Sequence, residues 1–225
     1  MDRHPLDNSI PDTAPAVVRA REAAARLLDG DRGSHDWEHT LRVYHLCRDI
    51  GPSEGADMEV LLVAALLHDI GRRHQDNSLG SVCHAEQGAA MTAELVAAFP
   101  LTDDQKANVV HCVQAHRFRK APQPRTIEAR VLFDADKLDA IGAVGIARAY
   151  QFAGELGARL HNPNHDVHHT RAYSREDTGY REYQVKLRHI RDRMLTATGR
   201  RVAEGRHRFM VQFFDRFLEE IEGRL

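Results

Sequence analysis

The sequence predicts an all-α protein, a helical bundle, on three observations. Apolar residues recur at helical spacing through nearly the whole chain. Runs that alternate like a half-buried strand are absent. Capping and stopping residues punctuate the periodic stretches.

The elements follow in order. Residues 16–28 are rich in Ala and Arg and stop at Asp29-Gly30. A polar stretch, 30–36, leads into a helix over 38–50, with Gly51-Pro52 as its expected stop. Asp57 is placed to cap the next helix, which carries the eight-residue apolar run 60–67 and ends near Ile70-Gly71. A run of that length inside a helical segment predicts a central helix buried on all sides. A polar loop is expected over 73–81, then a helix over 84–99 stopped by Pro100. Thr102 with Gln105 reads as a capping box opening a helix to about Ala115. A basic, Pro-containing loop spans 117–125, and helices are expected over 127–138 and 143–156. Residues 160–177 are the least helical part. Helices over 180–195 and 201–222 close the chain, the last with Phe209, Met210, Phe213, Phe214, Phe217, Leu218 and Ile221 on one stripe. The expected organisation is one domain over 1–225, with a core of about 34–156 and a flap loop and C-terminal helices over 157–225 packing on it.

Composition narrows the class. The 225 residues carry 31 Lys and Arg against 33 Asp and Glu, a formal charge of −2, so no basic field marks a partner as a nucleic-acid polymer. The longest apolar run falls far short of the roughly 20 residues of a membrane span, so no membrane is expected. The N-terminal MDRHPLDNSIPD has no apolar signal core, and Cys47, Cys83 and Cys112 lack CxxC spacing. Both facts predict a reduced, cytoplasmic chain. The apolar stripe Phe209 to Ile221 can bury equally against the chain's own core or a partner's, so a monomer or a homodimer is expected.

The 15 histidines are the unusual feature. His-Asp occurs three times, at His35-Asp36, His68-Asp69 and His165-Asp166, where chance gives about one, so context must separate them. His68-Asp69 ends the most apolar helix, where a buried imidazole and carboxylate without partners would cost several kcal/mol. His39 lies early on the preceding helix, on the face of Val43 and Leu46, and an antiparallel pair would bring it to His68. Asp136 lies between apolar neighbours, with Asp134 and Asp139 close by. Two imidazoles and two carboxylates form a mixed set suited to Mn, Fe, Zn, Co or Ni, less so to Mg or Ca.

The order His39, His68-Asp69, Asp136 resembles the H…HD…D signature of the HD-domain metal-dependent phosphohydrolases. HDWEHTLRV, AALLHDIGR, HAEQGA, an AHR segment and DADKLDAIGAVGIAR are similar in the same register, and so is the closing GRRVAEGRHRFMVQFFDRFLEEIEG. The resemblance is to the small single-domain bacterial branch, some members of which cleave nucleoside triphosphates to monophosphate and pyrophosphate. It implies a divalent metal, Mn first, on His39, His68, Asp69 and Asp136. His84 and His116 match the histidines that bimetallic members use for a second ion, with Asp69 bridging, or that face the substrate phosphate in single-metal members.

The expected activity is therefore hydrolysis of a small phosphorylated substrate, a nucleotide, by metal-activated water. Asp69 is the central catalytic candidate, with His35 and Asp36 assisting. Arg42, Arg72, Arg73, Lys120 and Lys137 are the candidate substrate-binding cations, since phosphoryl transfer needs positive charge around the equatorial oxygens. Two alternatives share the ligand set: an HD-type di-iron oxygenase, and a catalytically silent nucleotide-sensing HD domain.

Overall fold

The computed structural model describes residues 13–28, 37–77, 83–117, 122–162, 167 and 169–224. Among these residues every regular element is a helix, and there is no strand. They fall into two compact units, within Met1–Asp136 and within Lys137–Leu225. No helix among them is long and apolar enough to cross a membrane.

In the first unit the predicted central helix is α3. Helices α1 (Pro15–Leu27) and α2 (Trp37–Glu54) lead to α3 (Met58–Leu67), and both pack against it. All eight residues from Val60 to Leu67 are buried. Each large apolar side chain among them contributes about 1.5–3 kcal/mol on burial. Asp57 caps α3 as expected, accepting from the Glu59 and Val60 amides at 3.0 and 3.2 Å.

The expected stop of α2 at Gly51-Pro52 is corrected. The helix runs on to Glu54 and ends at Gly55, whose φ of +72° and the Ala56 N–H donating to the Gly51 carbonyl form the turn-off. Pro52 lies in the last turn, where it removes one intrahelical N–H donor without ending the helix. Gly51 serves a different purpose. A Cβ there would meet Leu61 Cδ2 and Met58 Sδ at 2.6 Å, so the glycine lets α3 approach α2 closely.

The rest of the unit brings polar residues to the helix ends. The short α4 (Arg72–Asn77) lies where a loop was expected. Helix α5 (His84–Val96) ends three residues earlier than the proline alone suggested. The Thr102–Gln105 capping box opens α6 (Asp103–Ala115), which packs on α3 and α5. Helix α7 (Ile127–Asp139) is tied to both neighbours at its start. Glu128 accepts from the Asp57 amide at 2.8 Å and from Asn108 Nδ2 at 2.9 Å.

The boundary between the units falls inside α7. In the second unit α8 (Gly142–Glu155) packs on α9 (Gly179–Val185) and on the long α10 (Ala197–Ile221). The single helix expected over 180–195 is two pieces. Lys186, at φ −139° and ψ −58°, leaves the helical region, and a 3₁₀ helix over Leu187–Arg193 follows. Helix α10 starts four residues before the expected position, because the Thr196 hydroxyl accepts from the Gly199 amide at 3.0 Å and caps it there. Met210 and Phe214 form the buried part of its stripe, with Tyr183 stacked on Phe214 at 4.3 Å, while Phe209 is exposed. Gly179 lies against the Tyr150 ring, which a Cβ would meet at 2.6 Å. In the least helical segment, Asn162 donates to the Glu176 carbonyl and accepts from Thr178 Oγ1, tying the two ends together.

Candidate metal centre

Helix ends place the histidines. His68 follows the last residue of α3 and His116 follows the last residue of α6. The final carbonyls of a helix have no intrahelical donor, and each imidazole uses one. His68 Nδ1 lies 2.8 Å from the Ala65 carbonyl, and His116 Nδ1 lies 2.6 Å from the Val113 carbonyl. A carbonyl only accepts, so both Nδ1 atoms carry a proton, and in the neutral ring that leaves the lone pair on Nε2.

His84 opens α5 and is held differently. Gln75 Oε1, on α4, accepts from the His84 backbone N–H at 3.4 Å and lies 2.8 Å from His84 Nδ1. An oxygen that takes the amide proton is an acceptor, so His84 too is protonated on Nδ1 and bare on Nε2. The turn that carries Asp69 reaches this helix because of glycine. A Cβ on Gly71 would meet the His84 carbonyl at 2.3 Å and the Gly88 nitrogen at 2.5 Å.

Two clusters result. His39, His68 and Asp136 offer ligand atoms all within 4.8 Å of one another, and so do Asp69, His84 and His116. The Nε2 atoms of His39 and His68 are 3.3 Å apart, and those of His84 and His116 are 3.2 Å apart. Asp69 lies between the clusters. Its Oδ2 is 3.8 Å from His39 Nε2 and 3.9 Å from His68 Nε2, while its Oδ1 is 3.5 Å from His84 Nε2 and 3.6 Å from His116 Nε2. Asp136 Oδ1 is 3.5 Å from His39 Nε2. Five of the six side chains are buried, and Asp136 is 16% exposed.

The electrostatics favour a cation over protons. Burial pushes His68 from 6.5 down to about 4 and His84 down to about 3, although the Asp69 carboxylate pulls both the other way. Neutral imidazoles with converging lone pairs repel unless a positive ion lies between them. The donor set therefore fits divalent metal, and the Asp69 carboxylate is placed to serve both clusters.

The other candidates divide. Arg72 Nη2 lies 3.4 Å from both Asp69 oxygens. Arg42 and Lys137 are half-buried on α2 and α7, and Arg73 is exposed. Of the other acids near Asp136, Asp139 is taken by Arg148 Nη1 at 2.6 Å. His35, Asp36 and Lys120 lie outside the described residues. Gln75, Gly71 and Gly88 are the residues that sequence reading missed. The signal available for Gln75 was its place three residues beyond Arg72, which has meaning only once α4 is known to be helical.

An all-α fold with paired histidine–carboxylate clusters is the architecture of a metal-binding helical domain, and comparison with known proteins agrees. Residues 36–141 match the HD domain family. The chain is 35% identical over 202 residues to the protein YpgQ of Bacillus subtilis, covering 88% of this chain and 89% of that one. The chain belongs to the HD domain family.

Solved structures extend the likeness. The crystal structure of B. subtilis YpgQ in complex with ADP is 32% identical, with a TM-score of 0.69 over 89% of this chain and 96% of that one. An HD-superfamily hydrolase from Bacillus thuringiensis is 26% identical, with a TM-score of 0.71 over 91% and 96%. A predicted HD-superfamily hydrolase from an uncultured Thermotogales bacterium is 30% identical, with a TM-score of 0.65 over 98% and 99%. Membership of this superfamily supports a metal-dependent hydrolase.

Proposed function

We propose that the protein is a metal-dependent phosphohydrolase of small nucleotides that cleaves a nucleoside triphosphate to the monophosphate and pyrophosphate. The observation that carries this reading is Asp69. Its two oxygens face two separate pairs of imidazole Nε2 atoms, 3.5 to 3.9 Å away. His39, His68, Asp136 and Asp69 Oδ2 would hold one divalent ion, and His84, His116 and Asp69 Oδ1 a second. Ions bound there supply acidified water and draw charge from a phosphoryl oxygen. Mn is the first choice for this nitrogen and oxygen set, with Fe, Co, Ni and Zn also suited.

The chain's own part is positioning. Asp69 keeps the two clusters at fixed separation, and Arg72 holds Asp69 from the side of α4. Arg42, Arg73 and Lys137 are proposed to meet substrate phosphates, which require positive charge and little covalent chemistry. The ADP complex of YpgQ supports a nucleotide as the ligand class.

The test is turnover by metal-replete protein against nucleoside triphosphates, deoxynucleotides, cyclic nucleotides and phosphomonoesters. Pyrophosphate release from triphosphates, lost in Asp69→Ala, is the expected result. Metal-loaded protein inert to the whole panel would overturn the reading. Oxygen consumption by the iron-loaded form would replace it with the oxygenase alternative.

A further inference from the structure

We propose that Gln75 is a positioning residue that sets the affinity of the Asp69/His84/His116 cluster for its ion, by holding the tautomer and direction of His84. The proposal rests on the reading that this cluster holds an ion.

The three imidazoles with a resolved Nδ1 partner are anchored in two ways. His68 and His116 each donate to a carbonyl of their own helix, three residues back. Those anchors belong to the backbone and are present whatever the side chains. His84 begins its helix and has no preceding turn to donate to. Its anchor is Gln75 Oε1, at 2.8 Å from Nδ1, which also accepts from the His84 amide. One amide oxygen therefore holds both the ring and the start of α5.

The chemistry of that anchor matters. A metal-bound imidazole becomes a better ligand when its other N–H donates to a stronger acceptor, and such outer partners change metal affinity on the order of 10- to 100-fold. A neutral amide is a weaker acceptor than the carboxylate often found in this role. Arg72 sits three residues before Gln75 on α4, on the same helix face, with its guanidinium against Asp69. Arg72 bears on both oxygens of the shared Asp69, whereas Gln75 bears on the second cluster through His84. That cluster offers three protein ligands where the first, with Asp69 Oδ2, offers four, and is the weaker of the two. The two ions are then unequal, one held firmly and one exchangeable.

Calorimetric titration of chelator-treated full-length protein with MnCl2, with metal content measured on the dialysed product, tests this. Wild-type protein is expected to take up two ions in separable steps, and His84→Ala is expected to lose the weaker one. Gln75→Met keeps the volume and removes the acceptor. It should weaken the second step on the order of 10- to 100-fold and leave the first unchanged. Gln75→Glu keeps an acceptor and strengthens it, so the second step should tighten. A purely structural role for Gln75 would not produce opposite shifts confined to one step. Unchanged second steps in both variants, or equal weakening of both steps, would overturn the proposal. A wild-type protein that binds a single ion, with a titration unaffected by His84→Ala, would overturn the two-ion reading beneath it.

Discussion

The Nε2 atoms of His84 and His116 face each other at 3.2 Å, each on a ring whose Nδ1 is turned to an oxygen acceptor. Two lone pairs at that distance in a buried site are a destabilising arrangement in the absence of a cation. A divalent ion should therefore stabilise the fold. At 100 times its dissociation constant, an ion bound to the native state alone adds about 2.7 kcal/mol. Thermal melts with and without Mn2+, and again after chelation, should show a reversible rise; a melting temperature indifferent to metal would count against the site.

Acid should weaken the metal-free protein. The unfolded chain takes up protons at the ordinary histidine pKa of 6.5, while the folded chain keeps His68 neutral to about 4 and His84 to about 3. Between those values the unfolded state binds more protons, so stability is full above 6.5 and falls as pH falls toward 4. Each unit of separation corresponds to about 1.4 kcal/mol per group. Melts of metal-free protein across this range check the sign, and stability that rises on acidification would contradict it.

Gly71→Ala should disturb the site from outside the ligand set. The added Cβ would meet two backbone atoms of α5, at 2.3 and 2.5 Å, neither of which can rotate away. Overpacking of this kind costs about 1–3 kcal/mol. The relief, a shift of α5, carries His84 away from Asp69. Lower stability together with loss of one bound ion, measured by metal analysis, is the expected outcome.

Asp136 and Asp139 lie one turn apart on α7 and should respond in opposite ways. Asp136→Ala is expected to remove metal with little loss of stability in the metal-free form. Arg148→Met removes the guanidinium 2.6 Å from the Asp139 carboxylate, which is 2% exposed, and should cost up to about 3 kcal/mol. Metal content should then be retained. Melts and metal analysis on the two variants separate a ligand from a structural ion pair.

Leu66 is fully buried in α3. Leu66→Ala should cost about 2–5 kcal/mol. Denaturant unfolding of the metal-free protein measures it.

Much of the fold and half of the site were legible because their signals are local. The capping residues Asp57 and Thr102 stand where their motifs put them, since a cap needs only a few consecutive residues. Asp69 and its neighbours were marked by polar side chains in an apolar setting. Pro52 misled, because a proline near a helix end costs one hydrogen bond and the real stop was Gly55. The break at Lys186 carried no sequence signal, and the Thr196 cap was overlooked beside the later apolar stripe.

By itself the sequence determined the helical class, the buried central helix and the residue types able to bind a metal, because periodicity and ligand chemistry are written in one dimension. Only the tertiary structure decided that Asp69 lies between two clusters, that Gln75 holds His84 and that Gly51 and Gly71 are points of close approach. Those facts depend on distances between segments far apart in the chain, set by how α2, α3, α5 and α6 pack.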